Sequence, residues 1–309
     1  MHTRTSPDPT HEISETRSFS VVNDTPYKVL SNLDKMAEGT FSVNGGVDAD
    51  GNVNRVISGN NLWSLFNADS TDPADDGERI LNINNLIIKD ATTVNDTRKD
   101  GAAVSATGAN SEANLTNSYF ETNKAEGNGG AVYVDGSKLS VNGGGFTGNE
   151  AGLAGGAIYN TNTIANPDAK AEIANADFSQ NKAQNGGAIY NDGSMAVNDS
   201  IFYANNSVSE RHARGGAIRN NSGTQYITNS SFAYNYANST SLTESNTTAL
   251  GGALYNGANL YIENTAFYKN HTNGFTAHGG AIQNAGNLTI VSSIFDGNYS
   301  EGGTQNSTD

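Results

Sequence analysis

The chain has 309 residues and no cysteine. Disulfides, thiolate metal sites and cysteine nucleophiles are therefore excluded. Basic residues are few. The 17 Lys and Arg stand against 32 Asp and Glu, for a net charge of −15. That balance opposes nucleic acid as a partner, because phosphates attract Lys and Arg. It also opposes an anionic membrane, and it suits a soluble surface protein that repels its own copies. No run of about 18 apolar residues occurs, so no transmembrane helix and no direct membrane span are predicted. The opening Met1–Thr16 is polar and carries no secretory signal. Hydrophobic residues make up only 35%, which without periodicity would point to disorder.

The chain does have periodicity. The phrase Gly-Gly-Ala followed by Val, Ile or Leu begins at Gly129, Gly155, Gly186, Gly215, Gly251 and Gly279. A second phrase, Phe-x-x-Asn, begins at Phe120, Phe146, Phe178, Phe202, Phe232, Phe267 and Phe295. Recurrence at this period marks a repeat architecture whose units share one core.

Aligned on the Phe column, with Ile88 as its first member, the residue five earlier is always apolar: Ile83, Leu115, Val141, Ile173, Val197, Ile227, Ile262 and Ile290. The residue seven earlier is Leu81, Ala113, Leu139, Ala171, Met195, Gln225, Leu260 or Leu288. A period of two is that of a strand with one buried face. Three before the Phe, mostly Asn, Gly, Asp and Ser mark a turn. In the Gly-Gly-Ala phrase the fourth position faces inward. The fifth faces water: Tyr133, Tyr159, Tyr190, Arg219, Tyr255 and Gln283. The sixth faces inward again and is mostly Asn, which can bond backbone at a turn.

Each repeat thus predicts three short strands and no helix. Strands that recur in the same direction pair in parallel with their counterparts one coil on. The predicted fold is all-β, a single-stranded right-handed parallel β-helix of the pectin lyase-like kind. The glycines permit a sharp corner and close backbone approach. A phosphate cradle is the alternative, but neither a Walker lysine nor a helix follows them. Segments 206–214, 236–250 and 271–278 are longer than their counterparts and are predicted to be loops at one corner, tolerant of length change. An insertion spans 161–170. Towards the N-terminus, Thr25 and Pro26 predict a short helix with Val29, Leu33 and Met36 on one face, part of a small helix and strand cap. The expected organisation is a disordered polar tail over 1–18, cap and first coil over 19–66, the repeat array over 67–298, and a polar tail over 299–309.

Gly-Gly-Ala-Ile followed by Phe-x-x-Asn resembles the repeats of polymorphic outer membrane proteins, an autotransporter family, over 101–298. The resemblance implies a β-helical passenger exported through a C-terminal outer-membrane barrel and acting in adhesion to a host-surface protein or glycan. With neither signal nor barrel in the chain, the expectation is a piece of a longer precursor, placed at the cell surface or outer membrane or secreted. Its uncapped C-terminal end is expected to allow self-association.

The fold also hosts polysaccharide lyases and hydrolases, so such an enzyme is the alternative. It would need carboxylates clustered on neighbouring coils. Asp177 and Asp199 fall in different columns, and the acidic 69–78 segment reads as a solvated turn. Asp48-Ala49-Asp50-Gly51-Asn52 has the flavour of a calcium loop but lacks the later Glu, and reads as a hairpin turn. His271 and His278 share one segment with no third ligand. No catalytic, cofactor or metal residue is therefore assigned. The predicted binding surface is the outward column Tyr133, Tyr159, Tyr190, Arg219 and Tyr255, together with Tyr236, Leu242, Glu244, His271 and His278 of the long corner.

Overall fold

A computed structural model describes residues 17–20, 27–28, 39–62, 64–70, 77–94, 98–162, 166, 169–241 and 246–302. Among them every regular element is a strand, and every strand pairing is parallel to its counterpart one coil away. The chain winds as a right-handed parallel β-helix. Coil 1 covers 39–69 and coil 2 covers 79–107. Coils 3 to 9 begin at residues 111, 138, 170, 194, 224, 259 and 287.

An 18-stranded sheet carries the Phe column, and an 8-stranded sheet carries the Gly-Gly-Ala strands. A third sheet of seven strands follows the Phe-x-x-Asn corner. Within the first sheet each coil kinks at the position three before the Phe. Asn85, Asn117, Gly143, Asn175, Asp199, Asn229, Asn264 and Ser292 all have positive φ there. The left-handed conformation lets both halves of the strand stay in register while the chain turns.

The core is a set of columns. Phe120, Phe146, Phe178, Phe202, Phe232 and Phe267 are buried and stack in order, ending on Phe295. Ring centroids lie 4.5–5.0 Å apart and planes differ by 3–9°. Each such burial is worth about 1.5–3 kcal/mol, and stacking adds about 0.5–1.5 kcal/mol.

Beside the rings run two asparagine ladders. Asn149, Asn181, Asn205, Asn235 and Asn270 are fully buried. Each uses one amide hydrogen on the next coil's Asn Oδ1 at 2.9–3.0 Å and the other on the Phe carbonyl of the previous coil at 2.9 Å. Each Oδ1 in turn accepts from the previous coil. Every polar atom is thereby paired, which a dry core requires. The second ladder is the predicted inward column. Asn160 bonds Asn191, Asn191 bonds Asn220, Asn220 bonds Asn256, and Asn256 bonds Asn284, at 2.7–2.9 Å. Asn191 and Asn220 also donate to the backbone carbonyls of Gly193 and Asn259. Gln225 is the exception. It is fully buried, yet neither its Nε2 nor its Oε1 has a partner. An amide so placed costs about 1–3 kcal/mol.

The two glycines of each phrase do different work. The first has positive φ, as at Gly186 (φ 59) and Gly215 (φ 67). The second lets neighbouring coils touch. A Cβ on Gly216 would lie 2.0 Å from the Gly252 carbonyl oxygen.

Two expectations are corrected. Tyr27–Lys28, placed in the predicted helix, is a strand paired with Ile57–Ser58. Its backbone continues the Ile57–Ile88 ladder, and parallel pairing overrides local helix signals there. Val29, Leu33 and Met36 lie outside the described residues. The long corner segments are also not loops. Asn206–Ser209, Tyr236–Ser239 and His271–Gly274 belong to the third sheet. His212–Arg214, Thr248–Leu250 and Thr276–His278 form a fourth, three-stranded sheet. Consecutive insertions at one corner stack as the rest of the coil does. Removing 236–250 would delete two strands, so tolerance of that deletion is not expected. Of the acidic segment, 71–76 lies outside the described residues, as do 163–165 and 167–168 of the insertion.

Candidate binding surfaces

The outward column of the Gly-Gly-Ala sheet is continuous. Tyr133, Tyr159 and Tyr190 pair in register, followed by Arg219 and Tyr255. Tyr133 and Tyr159 stack at 5.5 Å, and Tyr159 and Tyr190 at 4.8 Å. The Arg219 guanidinium slots between the last two rings, 5.1 Å from Tyr190 and 5.6 Å from Tyr255. It is fixed by hydrogen bonds to the side-chain oxygens of Asn185 (2.8 Å) and Asn221 (2.7 Å).

This column is half-buried rather than openly exposed. Burial pushes the Tyr159 phenol up to about 12. It raises Tyr133 further, with the carboxylates of Asp135 and Asp100 adding to the effect. Tyr190 is raised by burial against the opposing charge of Arg219, and burial lowers Arg219 itself. The rings occupy one another's faces, so the column offers mainly edges and hydroxyls. A sugar stacks on a free ring face, and few are free here. The geometry fits a stiffening ladder of cross-strand pairs.

The corner residues divide between the two extra sheets. Tyr236, His271 and Tyr299 stack on the third, with centroids at 3.9 and 5.0 Å. Burial raises the Tyr236 phenol and lowers the His271 imidazole. His278 lies on the fourth sheet, in register with Leu250, so it does not share a strand with His271. Leu242 and Glu244 lie outside the described residues.

A more open aromatic surface lies elsewhere, on the first sheet of coils 6 to 8. Tyr203, Tyr226, Tyr234 and Tyr261 are 43–50% exposed, and Ile201 beside Tyr203 is 49% exposed. Tyr203 meets Tyr234 edge-on at 5.7 Å, and Tyr234 meets Tyr268 at 5.6 Å. The Lys269 Nζ sits 4.8 Å from the Tyr268 ring centroid and 5.8 Å from that of Tyr234. Tyr226 and Tyr261 stack face to face at 5.0 Å, as in the Tyr133 column, whereas the edge-on contacts of Tyr203 and Tyr234 do not pair their ring faces with each other. Tyr234 is held at φ 57, an uncommon conformation for a bulky residue. These tyrosines were not singled out from sequence. The available signal was the accumulation of Tyr one and two places after the Phe, at Tyr203, Tyr234 and Tyr268.

Residues weighed for chemistry do not converge. Asp177 projects from the strand beside Phe178, while Asp199 forms a kink at φ 50. Burial raises the Asp177 carboxyl. The Asp48 carboxylate accepts the backbone N–H groups of Asp50 (3.0 Å) and Asn52 (2.8 Å), closing its own turn. Those bonds hold its carboxyl below the usual range, that from Asn52 most strongly. Among the described residues, no three His, Asp or Glu side chains come together as a metal site. Nor is any helix long and apolar enough to cross a membrane.

Residues 117–135 and 175–192 match the Chlamydia polymorphic membrane protein repeat. Each stretch runs from a kink, Asn117 or Asn175, through the Phe and Asn columns to the end of a Gly-Gly-Ala strand. Comparisons with curated proteins and with solved structures give no match.

Proposed function

We propose that this chain, which carries polymorphic membrane protein repeats, is a surface-exposed β-helical passenger without catalytic activity. In this reading it acts in adhesion to a host-surface protein or glycan. The observation that carries the reading is the open tyrosine surface of coils 6 to 8. Exposed Tyr rings are costly to leave in water and favour interfaces. Ladders of Phe and Asn on the inside give that surface a rigid backing, so little order need be gained on binding. The repeat match supports a surface location.

The test is adhesion of the purified chain to cultured host cells. Tyr203→Ser combined with Tyr234→Asn removes two rings, and Asn tolerates the left-handed conformation at 234. Cell binding should fall about ten-fold or more, as when interface anchors are truncated. Undiminished adhesion of this variant would detach function from the surface. Cleavage of polygalacturonate by the wild-type chain would replace the adhesin reading with a polysaccharide-active enzyme.

A further inference from the structure

The body of the rod changes width between coils 5 and 6. Coil 5 turns from Asn181 to Gly186 through the two-residue strand Lys182–Ala183. Coil 6 inserts two strands at the same corner, Asn206–Ser209 and His212–Arg214. The second of these begins the fourth sheet and has no strand beneath it in coil 5. Coil 6 therefore overhangs coil 5, and beneath the overhang lies an open hollow of about 580 Å³. Its walls include Gln184 and Asn185 from coil 5 and Glu210, Arg211, His212 and Arg214 from coil 6.

The charge there runs against the rest of the molecule. The chain carries −15 overall, yet this hollow gathers two arginines and a histidine around a single glutamate. Elsewhere, paired cations such as Lys99 and Lys124 sit against Glu126 and Glu150. Among the described residues, hydrogen bonds from Ser239 and to Ser209 hold the Arg211 backbone, but no ion pair or hydrogen bond reaches the guanidinium of Arg211 or Arg214. The Arg214 guanidinium rests 5.7 Å from the Tyr255 ring, and its buried Nε has no acceptor. His212 is oriented by a 3.0 Å contact between its Nδ1 and the Thr248 hydroxyl. Asn185 is oriented by its 2.8 Å bond from Arg219. Two guanidinium groups without ion pairs, beside fixed polar side chains, form a ready receptor for a planar or tetrahedral anion.

We propose that this hollow binds an acidic saccharide, with the sugar's carboxylate or sulfate held by Arg211 and Arg214. The volume suits one or two sugar rings. The amides of Gln184 and Asn185 match sugar hydroxyls, and the hollow is open on one side so that a chain end can enter. A long polyanion or an acidic peptide fits less well. Its further charges would lie along a rod of net charge −15 and be repelled. A terminal sugar with one negative group avoids that repulsion. The inference rests on the adhesin reading and names a ligand class for it. Burial lowers the His212 pKa, and the positive charges of Arg214 and Arg211 lower it further. Glu210 is the opposing charge in the hollow. An anion bound between the arginines would raise the His212 pKa, which provides a local readout.

The experiment titrates the full chain with sialyllactose, 6-sulfolactose, lactose and a hexaglutamate peptide, followed by calorimetry and by the His212 ring resonances. At least one acidic sugar should bind and shift those resonances, while lactose and hexaglutamate do not. The arm that binds identifies the anion as carboxylate or sulfate. Arg211→Gln and Arg214→Gln should each weaken binding about ten-fold or more, with an unchanged thermal unfolding midpoint for the exposed Arg211 variant. Rising salt should also weaken it. Equal binding of lactose, tighter binding of hexaglutamate, no binding of either acidic sugar, or full affinity in the Arg211 variant would overturn the assignment. Suppose the double arginine variant still adheres to cells while the tyrosine variant does not. The saccharide site then falls and the adhesin reading stands.

Discussion

Phe202→Ala is expected to cost about 3–5 kcal/mol, near the upper range for core truncations. Phe202 is fully buried between Phe178 and Phe232, with centroids at 4.7 and 4.5 Å. Parallel coils are held at a fixed spacing by backbone hydrogen bonds, so the neighbouring rings cannot close on the gap. The Phe202 carbonyl also accepts the Asn235 amide at 2.9 Å, so collapse of the site would strain the asparagine ladder. Urea unfolding and amide hydrogen exchange across coils 5 to 7 measure the loss. Near wild-type protection in those coils would contradict the stacked column.

Gly216→Ala should be at least as damaging, with a loss above about 4 kcal/mol, a size reserved for severe strain or clash. The new Cβ would meet the Gly252 carbonyl oxygen at 2.0 Å and the Tyr236 backbone nitrogen at 2.5 Å. Both are main-chain atoms of the next coil, and neither can move without opening the ladder. Gly148→Ala provides the control. Gly148 has positive φ (63), but its Cβ would find only the Thr122 methyl, at 3.7 Å. Thr122 and Gln180 occupy the same conformation on adjoining coils. That substitution should cost only about 1–2 kcal/mol. Comparable melting temperatures for the two variants would refute the distinct role assigned to the second glycine.

Much of the fold was legible because stacking constrains side-chain identity. A Phe above a Phe, or an Asn whose two hydrogens go to the coils on either side, admits few substitutes. The column therefore repeats in sequence as it does in space. Features imposed on the backbone were harder to read. Two residues after the Phe, the chain again takes positive φ at Asp90, Thr122, Gln180, Ala204, Tyr234 and Lys269. Those residue types share nothing that would announce it. Neighbouring coils force the conformation by pairing on both sides.

Coil 1 was legible only in part, as a first coil within 19–66, and its register with coil 2 was hidden for another reason. Phe41 and Val43 pair with Leu81 and Ile83, and Ile57 pairs with Ile88. The segment 45–55 interposes between the two strands and breaks the fixed spacing. The extra strands at the corner did leave a signal. Ala213, Ala249 and Ala277 stand at the same offset before Gly215, Gly251 and Gly279, and they pair in register. Small inward residues carry little hydrophobic weight, so a search for apolar alternation passes over them.

The candidate surface was only partly legible. Parity placed Tyr133, Tyr159 and Tyr190 on the outside, but parity does not say whether rings lie flat against one another. The stack consumes their faces. The open rings at Tyr203 and Tyr234 occur where the chain leaves the first sheet, and exposure there depends on backbone geometry that alternation does not encode. The Arg211 and Arg214 hollow arises from a difference in width between two coils, which appears only once the corner segments are known to be strands.

Distances along one outward column test the one-coil-per-repeat account most directly. Asn82, Glu172 and Thr289 lie in a single column of the first sheet, linked through Asn114, Ser140, Ala196, Tyr226 and Tyr261. The chain has no cysteine, so spin labels attach only where Cys is introduced. At about 4.8 Å per coil, labels at 172 and 289 should lie about 19 Å apart, and labels at 82 and 289 about 34 Å apart. Pulsed electron resonance should return these two separations, differing by three coil rises. Equal separations, or separations that do not scale with the number of coils between the labels, would contradict it.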